Sequence, residues 1–126
     1  MVGIVIVSHS QKLAEGVVEL ARMMADDIPI VAAGGMEDGS LGTSYEKIYN
    51  ALDEVYSDDG VIVLVDMGSA AMTAEMVIEE MPGRNIRMLD CPLVEGAILA
   101  AVELSDGHTL ETLIERIEDS RVMMKF

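Results

Sequence analysis

The chain predicts an α/β fold: one doubly wound sheet of four parallel strands in order 2-1-3-4, with helices on both faces. Three observations carry that prediction. Short, β-branched, almost wholly apolar runs recur along the chain, which is how strands covered on both faces read. Each run is followed by a segment with apolar residues at helical spacing, so strand and helix alternate without a linker or low-complexity stretch and imply right-handed parallel crossovers. Helices can cover both faces only if the strand order reverses once, most simply as 2-1-3-4.

The first strand is the run Val2-Gly3-Ile4-Val5-Ile6-Val7, which stops at Ser8-His9-Ser10. Leu13, Val17, Leu20, Ala21 and Met24 then mark a helix of about four turns. Ile28 to Ala32 is the second strand, with Pro29 at its start, where a missing N–H is tolerated. The glycine-studded stretch Gly34 to Gly42 reads either as a long surface connection or as a functional loop. Thr43-Ser44-Tyr45-Glu46 forms a capping box for a helix carrying Ile48, Ala51, Leu52 and Val55 on one face. Asp58-Asp59-Gly60 breaks it, and Val61 to Val65 is the clearest central strand. After Asp66-Met67-Gly68-Ser69, a helix presents Ala74, Val77, Ile78 and Met81, and Pro82-Gly83 ends it. Asn85 to Asp90 is the fourth strand, followed past Pro92 by a helix with Val94, Ala97, Ile98, Ala101 and Val102. Asp106-Gly107 turns into a last helix with Leu110, Leu113, Ile114 and Ile117, and the tail Val122 to Phe126 is read as a short edge strand or a dimer contact.

At 126 residues the expectation is a single domain over 1–126 with a real core. No apolar stretch approaches the roughly 18–20 residues of a membrane span, and the start lacks the basic leader and cleavage site of a secretory signal. A lone cysteine, Cys91, reads as a small buried hydrophobe in a reduced, cytoplasmic chain. With 23 acidic residues against 8 lysines and arginines, and net charge −15, the surface repels nucleic acid and anionic membranes. The same charge either speeds encounter with a basic protein partner or only keeps the domain soluble. The 11 methionines read mainly as gap-filling core, a few exposed ones forming an adaptable docking surface.

The strand order makes strands 1 and 3 neighbours at the switch point, so His9 and Asp66 meet in the crevice where such folds do chemistry. A lone histidine at a strand end is commonly a capping or core residue, but here an aspartate, serines and glycines converge on it. Metal binding lacks ligands: the only other histidine, His108, falls in a helix-start turn and is read as solvated, with Thr109 as the cap. A serine nucleophile lacks its Gly-x-Ser-x-Gly elbow. No metal and no cofactor are expected. The small groups Ser8, Ser10, Gly42, Thr43, Gly68 and Ser69 include two helix openings whose N–H groups suit a phosphoryl group, although Ser69 reads equally as an ordinary N-cap. An aspartate on one ring nitrogen would leave the other free to attack, so His9 reads as a phosphoryl carrier oriented by Asp66.

Ile4 to Ser10, Gly42-Thr43, Asp66-Met67-Gly68-Ser69-Ala70 and Pro92-Leu93-Val94-Glu95-Gly96 together resemble the phosphotransfer subunits of dihydroxyacetone kinase, within the mannose family of enzyme IIA domains. The resemblance covers nearly the whole chain. It implies that His9 accepts a phosphoryl group from the phosphohistidine of the carrier protein HPr, by attack through Nε2, and passes it to ADP on the nucleotide-binding kinase subunit. The regenerated ATP then phosphorylates dihydroxyacetone on a third subunit. It further implies a homodimer and a phosphate pocket at Thr43, Gly68 and Ser69. Some members carry HPr-like and enzyme I-like domains on the same chain; this one ends at Phe126, which implies a free HPr as donor.

Two rivals stand beside this reading. A sugar-uptake enzyme IIA would hand its phosphate to a transporter IIB domain, but such members resemble Trp-Gly-Gly-Ser-Pro after the aspartate. This chain has Met67-Gly68-Ser69-Ala70 and no tryptophan. A non-catalytic, receiver-like regulatory module would need an acidic pair after strand 1, where Ser8-His9 stands.

Overall fold

The run Gly3–Ser8, here β1, is buried at every one of its six residues, as a strand with helices on both faces must be. In the computed structural model, which describes residues 1–126, β1 lies beside β2 (Ile30–Gly34) and β3 (Val61–Val65), with β4 (Ile86–Leu89) outermost. The four strands are parallel, in order β2-β1-β3-β4. The predicted topology holds.

Alternation along the strands divides the core by size. Ile4, Ile6, Ile62 and Leu64 face one side, against α1 (Gln11–Met24), α4 (Leu93–Ser105) and α5 (Leu110–Asp119). Val5, Val7, Val61 and Val63 face the other, against α2 (Tyr45–Val55) and α3 (Gly68–Glu79). Three helices share the first face, and Ala97, Ala100 and Ala101 let α4 approach closely. Leu64, fully buried at the sheet centre, tests this packing. Leu64→Ala should lower unfolding free energy by about 3 kcal/mol, read as a lower denaturant midpoint with an unchanged slope.

Local differences from the sequence reading have physical causes. The second strand runs over Ile30–Gly34, two residues later than expected: Pro29 only accepts, its carbonyl taking the Ile4 N–H at 2.8 Å, and Ile30 begins the ladder. The fourth strand is trimmed to Ile86–Leu89. In α1 the buried stripe is Ala14, Val17 and Ala21, while Leu13 and Leu20 stay partly exposed. The cap of α2 is Ser44, not Thr43; its Oγ accepts from the Lys47 N–H and donates to Glu37. Glu37 of the preceding loop thus takes the Ser44 hydroxyl, a different bond from the one Glu46 would make in a capping box. The tail adds no strand. Ser120–Val122 form a 3₁₀ turn, and Lys125 pairs with Glu95 of α4 at 3.0 Å, holding the tail along a helix and off the β4 edge. No helix is long and apolar enough to cross a membrane.

Candidate active site

Parallel pairing of β1 with β3 puts Val7 opposite Val65, so both strands end at one level and His9 and Asp66 emerge side by side. Asp66 Oδ2 accepts from the Ser8 hydroxyl at 2.9 Å and from the His9 backbone N–H at 3.0 Å. The ring Nδ1 of His9 lies 3.1 Å from Oδ1 and 3.3 Å from Oδ2. Burial by itself would raise the Asp66 carboxyl. The His9 N–H, the Ser8 hydroxyl and the His9 ring outweigh that and hold it below the ordinary carboxylate value. An ionised carboxylate only accepts, so Nδ1 carries the proton and Nε2 keeps its lone pair. Ser69 Oγ donates to Nε2 at 2.7 Å.

The other predicted site residues separate into roles. Gly68 and Ser69 open α3 and are exposed; their first-turn N–H groups have no intrahelical acceptor. The cap of α3 is Met67, with no side-chain bond, so Ser69 is not the N-cap and its hydroxyl is free for His9. Gly42 donates its N–H to the His9 carbonyl at 2.8 Å. It sits at φ 141°, and a Cβ there would come within 2.8 Å of Met36 Sδ, so only glycine fits without a shift. Thr43 Oγ1 bonds Thr73 Oγ1 at 2.9 Å, tying the β2–α2 loop to α3. Ser8 is fully buried beneath Asp66, its oxygen accepting the Ser10 N–H at 3.0 Å. The Ser10 hydroxyl caps α1 through the Leu13 N–H.

Sequence reading missed Thr73, whose signal is its place one turn after Ser69 on the same helix face. It also missed the neighbour of His108, which is part-exposed as expected but has Nε2 2.9 Å from the Glu103 carboxylate. Cys91 is half-buried, its thiol pushed up to about 11 by burial and by the Asp90 charge; it is no nucleophile. None of the five principal clefts is lined by His9. Leu41, Met67 and Met72 are exposed and lie in sequence next to Gly42, next to Asp66 and within the first turns of α3. Such a site suits an approaching protein surface better than an enclosed small substrate.

Residues 3–116 match the family EIIA-man, described as the PTS system fructose IIA component. The chain belongs to that family. This EIIA-man chain is 40% identical over 116 residues to the "PTS-dependent dihydroxyacetone kinase, phosphotransferase subunit DhaM" of Lactococcus lactis subsp. lactis, covering 92% of this chain and 93% of that one. It is also 40% identical over 121 residues to the "PEP-dependent dihydroxyacetone kinase, phosphoryl donor subunit DhaM" of Escherichia coli, covering 90% of this chain. There it spans only 26% of the relative's length. Among solved structures, the protein of unknown function EF1359 superposes with a TM-score of 0.86 at 27% identity, over 99% of this chain and 98% of that one. The resemblance seen in the sequence motifs is thus met over nearly the whole EIIA-man domain.

Proposed function

We propose that residues 1–126 act as one phosphohistidine relay domain of a cytoplasmic, phosphoenolpyruvate-dependent dihydroxyacetone kinase. The observation that carries this reading is the His9–Asp66 pair, with Nδ1 held on the carboxylate and Nε2 facing outward. The identity to phosphoryl donor subunits supports the choice of kinase over sugar uptake, as does Met67-Gly68-Ser69-Ala70 after the aspartate.

In the accepting step, the Nε2 lone pair attacks the phosphorus of phospho-HPr. The donor's N–P bond breaks and its electron pair returns to the donor ring. Nδ1 keeps its proton, and Asp66 offsets the positive charge that forms on the His9 ring. The Ser69 hydroxyl turns from Nε2 to a phosphoryl oxygen, joined by the first-turn N–H groups of α3. In the donating step a β-phosphate oxygen of ADP on the nucleotide-binding kinase subunit attacks phosphorus, and the N–P electron pair returns to Nε2. Net charge −15 favours encounter with a basic HPr face. A homodimer is part of the same proposal.

Reconstitution tests it. The purified chain, added to phosphoenolpyruvate, enzyme I, HPr and the two other kinase subunits, should restore dihydroxyacetone phosphorylation. Restoration of transporter-linked sugar phosphorylation alone would overturn the choice of kinase.

A further inference from the structure

At the far end of the sheet from His9, α4 closes on a turn that the relay chemistry does not use. Asp106 caps the helix, and Gly107 adopts the left-handed φ of 82°. That turn brings the chain back, with the His108 N–H donating to the Glu103 carbonyl at 3.4 Å. Glu103, Asp106 and His108 each offer one ligand atom there, all within 4.8 Å of one another.

Glu103 is the decisive member. It keeps only 9% exposure, and its Oε2 is buried without a hydrogen-bond partner. This holds although His108 Nε2 lies 2.9 Å away and Arg116 Nε 3.5 Å away: neither N–H is aimed at the oxygen. A carboxylate oxygen and a ring nitrogen close together but not bonded to each other are disposed like two ligands of a shared third atom. Two donors each about 2.1 Å from a tetrahedral zinc ion stand roughly 3.4 Å apart, so the 2.9 Å pair needs to open only slightly to admit one. A buried carboxylate oxygen that has ion-pair neighbours but accepts no hydrogen bond is under-satisfied, and a cation bonded directly to it would satisfy it.

We propose that Glu103, Asp106 and His108 bind a divalent transition metal of the zinc class. Mixed imidazole and carboxylate donors suit zinc. His108 binds through Nε2, Glu103 through Oε2, and the exposed Asp106 swings in from the cap. Arg116 Nη1 donates to Glu103 Oε1 at 3.5 Å, while Arg116 Nε, 3.5 Å from Oε2 without a hydrogen bond, draws back as the ion binds. A fourth position opens to water in the cleft of about 470 Å³ that His108 and Thr109 line with Met1, Asp59 and Asn85. The ion would clamp the α4–α5 turn and is independent of the relay reading.

Calorimetric titration of the chelator-treated full chain with zinc chloride tests the site. The wild-type chain should take up one equivalent and melt at a higher temperature with zinc present. His108→Gln and Asp106→Asn, both on the accessible side of the turn, should weaken binding at least about tenfold and remove the zinc-dependent melting shift. Glu103→Gln should do the same if it folds by circular dichroism. His9→Ala should bind zinc like the wild type. No uptake by the wild-type chain, uptake unchanged in His108→Gln, or uptake lost in His9→Ala would each overturn the proposal, the last by moving zinc to the His9–Asp66 pair.

Discussion

Replacing His9 with alanine should abolish phosphoryl acceptance while leaving the fold intact. The ring is partly exposed, with 23% of the side chain accessible, and its polar contacts are confined to Asp66 and Ser69. The backbone N–H that anchors Asp66 survives the substitution. Stability should therefore change by less than about 1 kcal/mol, whereas the only activated nucleophile of the site is gone. Ser69 does not replace it, because an isolated hydroxyl without a base is a weak nucleophile. Incubation with labelled phosphoenolpyruvate, enzyme I and HPr should place one acid-labile, base-stable phosphate on the wild-type chain and none on the variant. Phosphate retained by His9→Ala, or found on Asp66, would end the assignment.

Asp66→Asn should be nearly as damaging for a reason specific to the bonding pattern. Oδ2 receives two donors, the Ser8 hydroxyl and the His9 N–H. An asparagine can keep those bonds only by putting its carbonyl oxygen there, which turns its NH₂ toward Nδ1. Nδ1 must then accept, and the ring proton moves to Nε2, the attacking atom. The flipped amide instead sets N–H against the fixed His9 N–H. Either arrangement removes the charge that stabilises the phosphorylated ring. The accepting step should slow on the order of 10²–10⁴-fold, as wrong-tautomer variants do elsewhere. Rapid quench gives the rate, and ¹⁵N shifts of the ring should show the proton on Nε2. A wild-type rate would remove Asp66 from the mechanism. The sign with pH is also set: the Asp66 carboxyl is held below its ordinary value in the folded chain. Its contribution to stability is thus full above the unfolded carboxyl range and is lost as acid passes through the lower folded value. Asp66→Asn should flatten that acid limb.

The topology and the His9–Asp66 pairing were legible because both follow from coarse signals. Continuous β-branched runs mark doubly covered strands, and one reversal of order places the ends of β1 and β3 together. Finer roles were not legible. Ser8 and Ser69 are the same residue type near the same strand ends, yet one is buried under the carboxylate and the other faces Nε2. That difference arises from side-chain direction at the last residue of β1 and from α3 starting at Gly68 with no side-chain cap. Ser44 displaced Thr43 as a cap because Glu37, seven residues earlier, reaches its hydroxyl, a loop contact with no periodic signature. The approach of His108 to Glu103 was not legible because the two sit across a left-handed turn that pattern reading does not fold.

The polar contacts around His9 come from aspartate, serine, glycine and peptide N–H groups, with no lysine or arginine among them. A phosphoryl dianion held by dipoles alone, on a chain already strongly acidic, sits in a shallow well. On the proposed relay, the phosphorylated form should therefore retain a high transfer potential and exchange reversibly with its donor, so that the level of unphosphorylated donor sets how much of this protein stays charged.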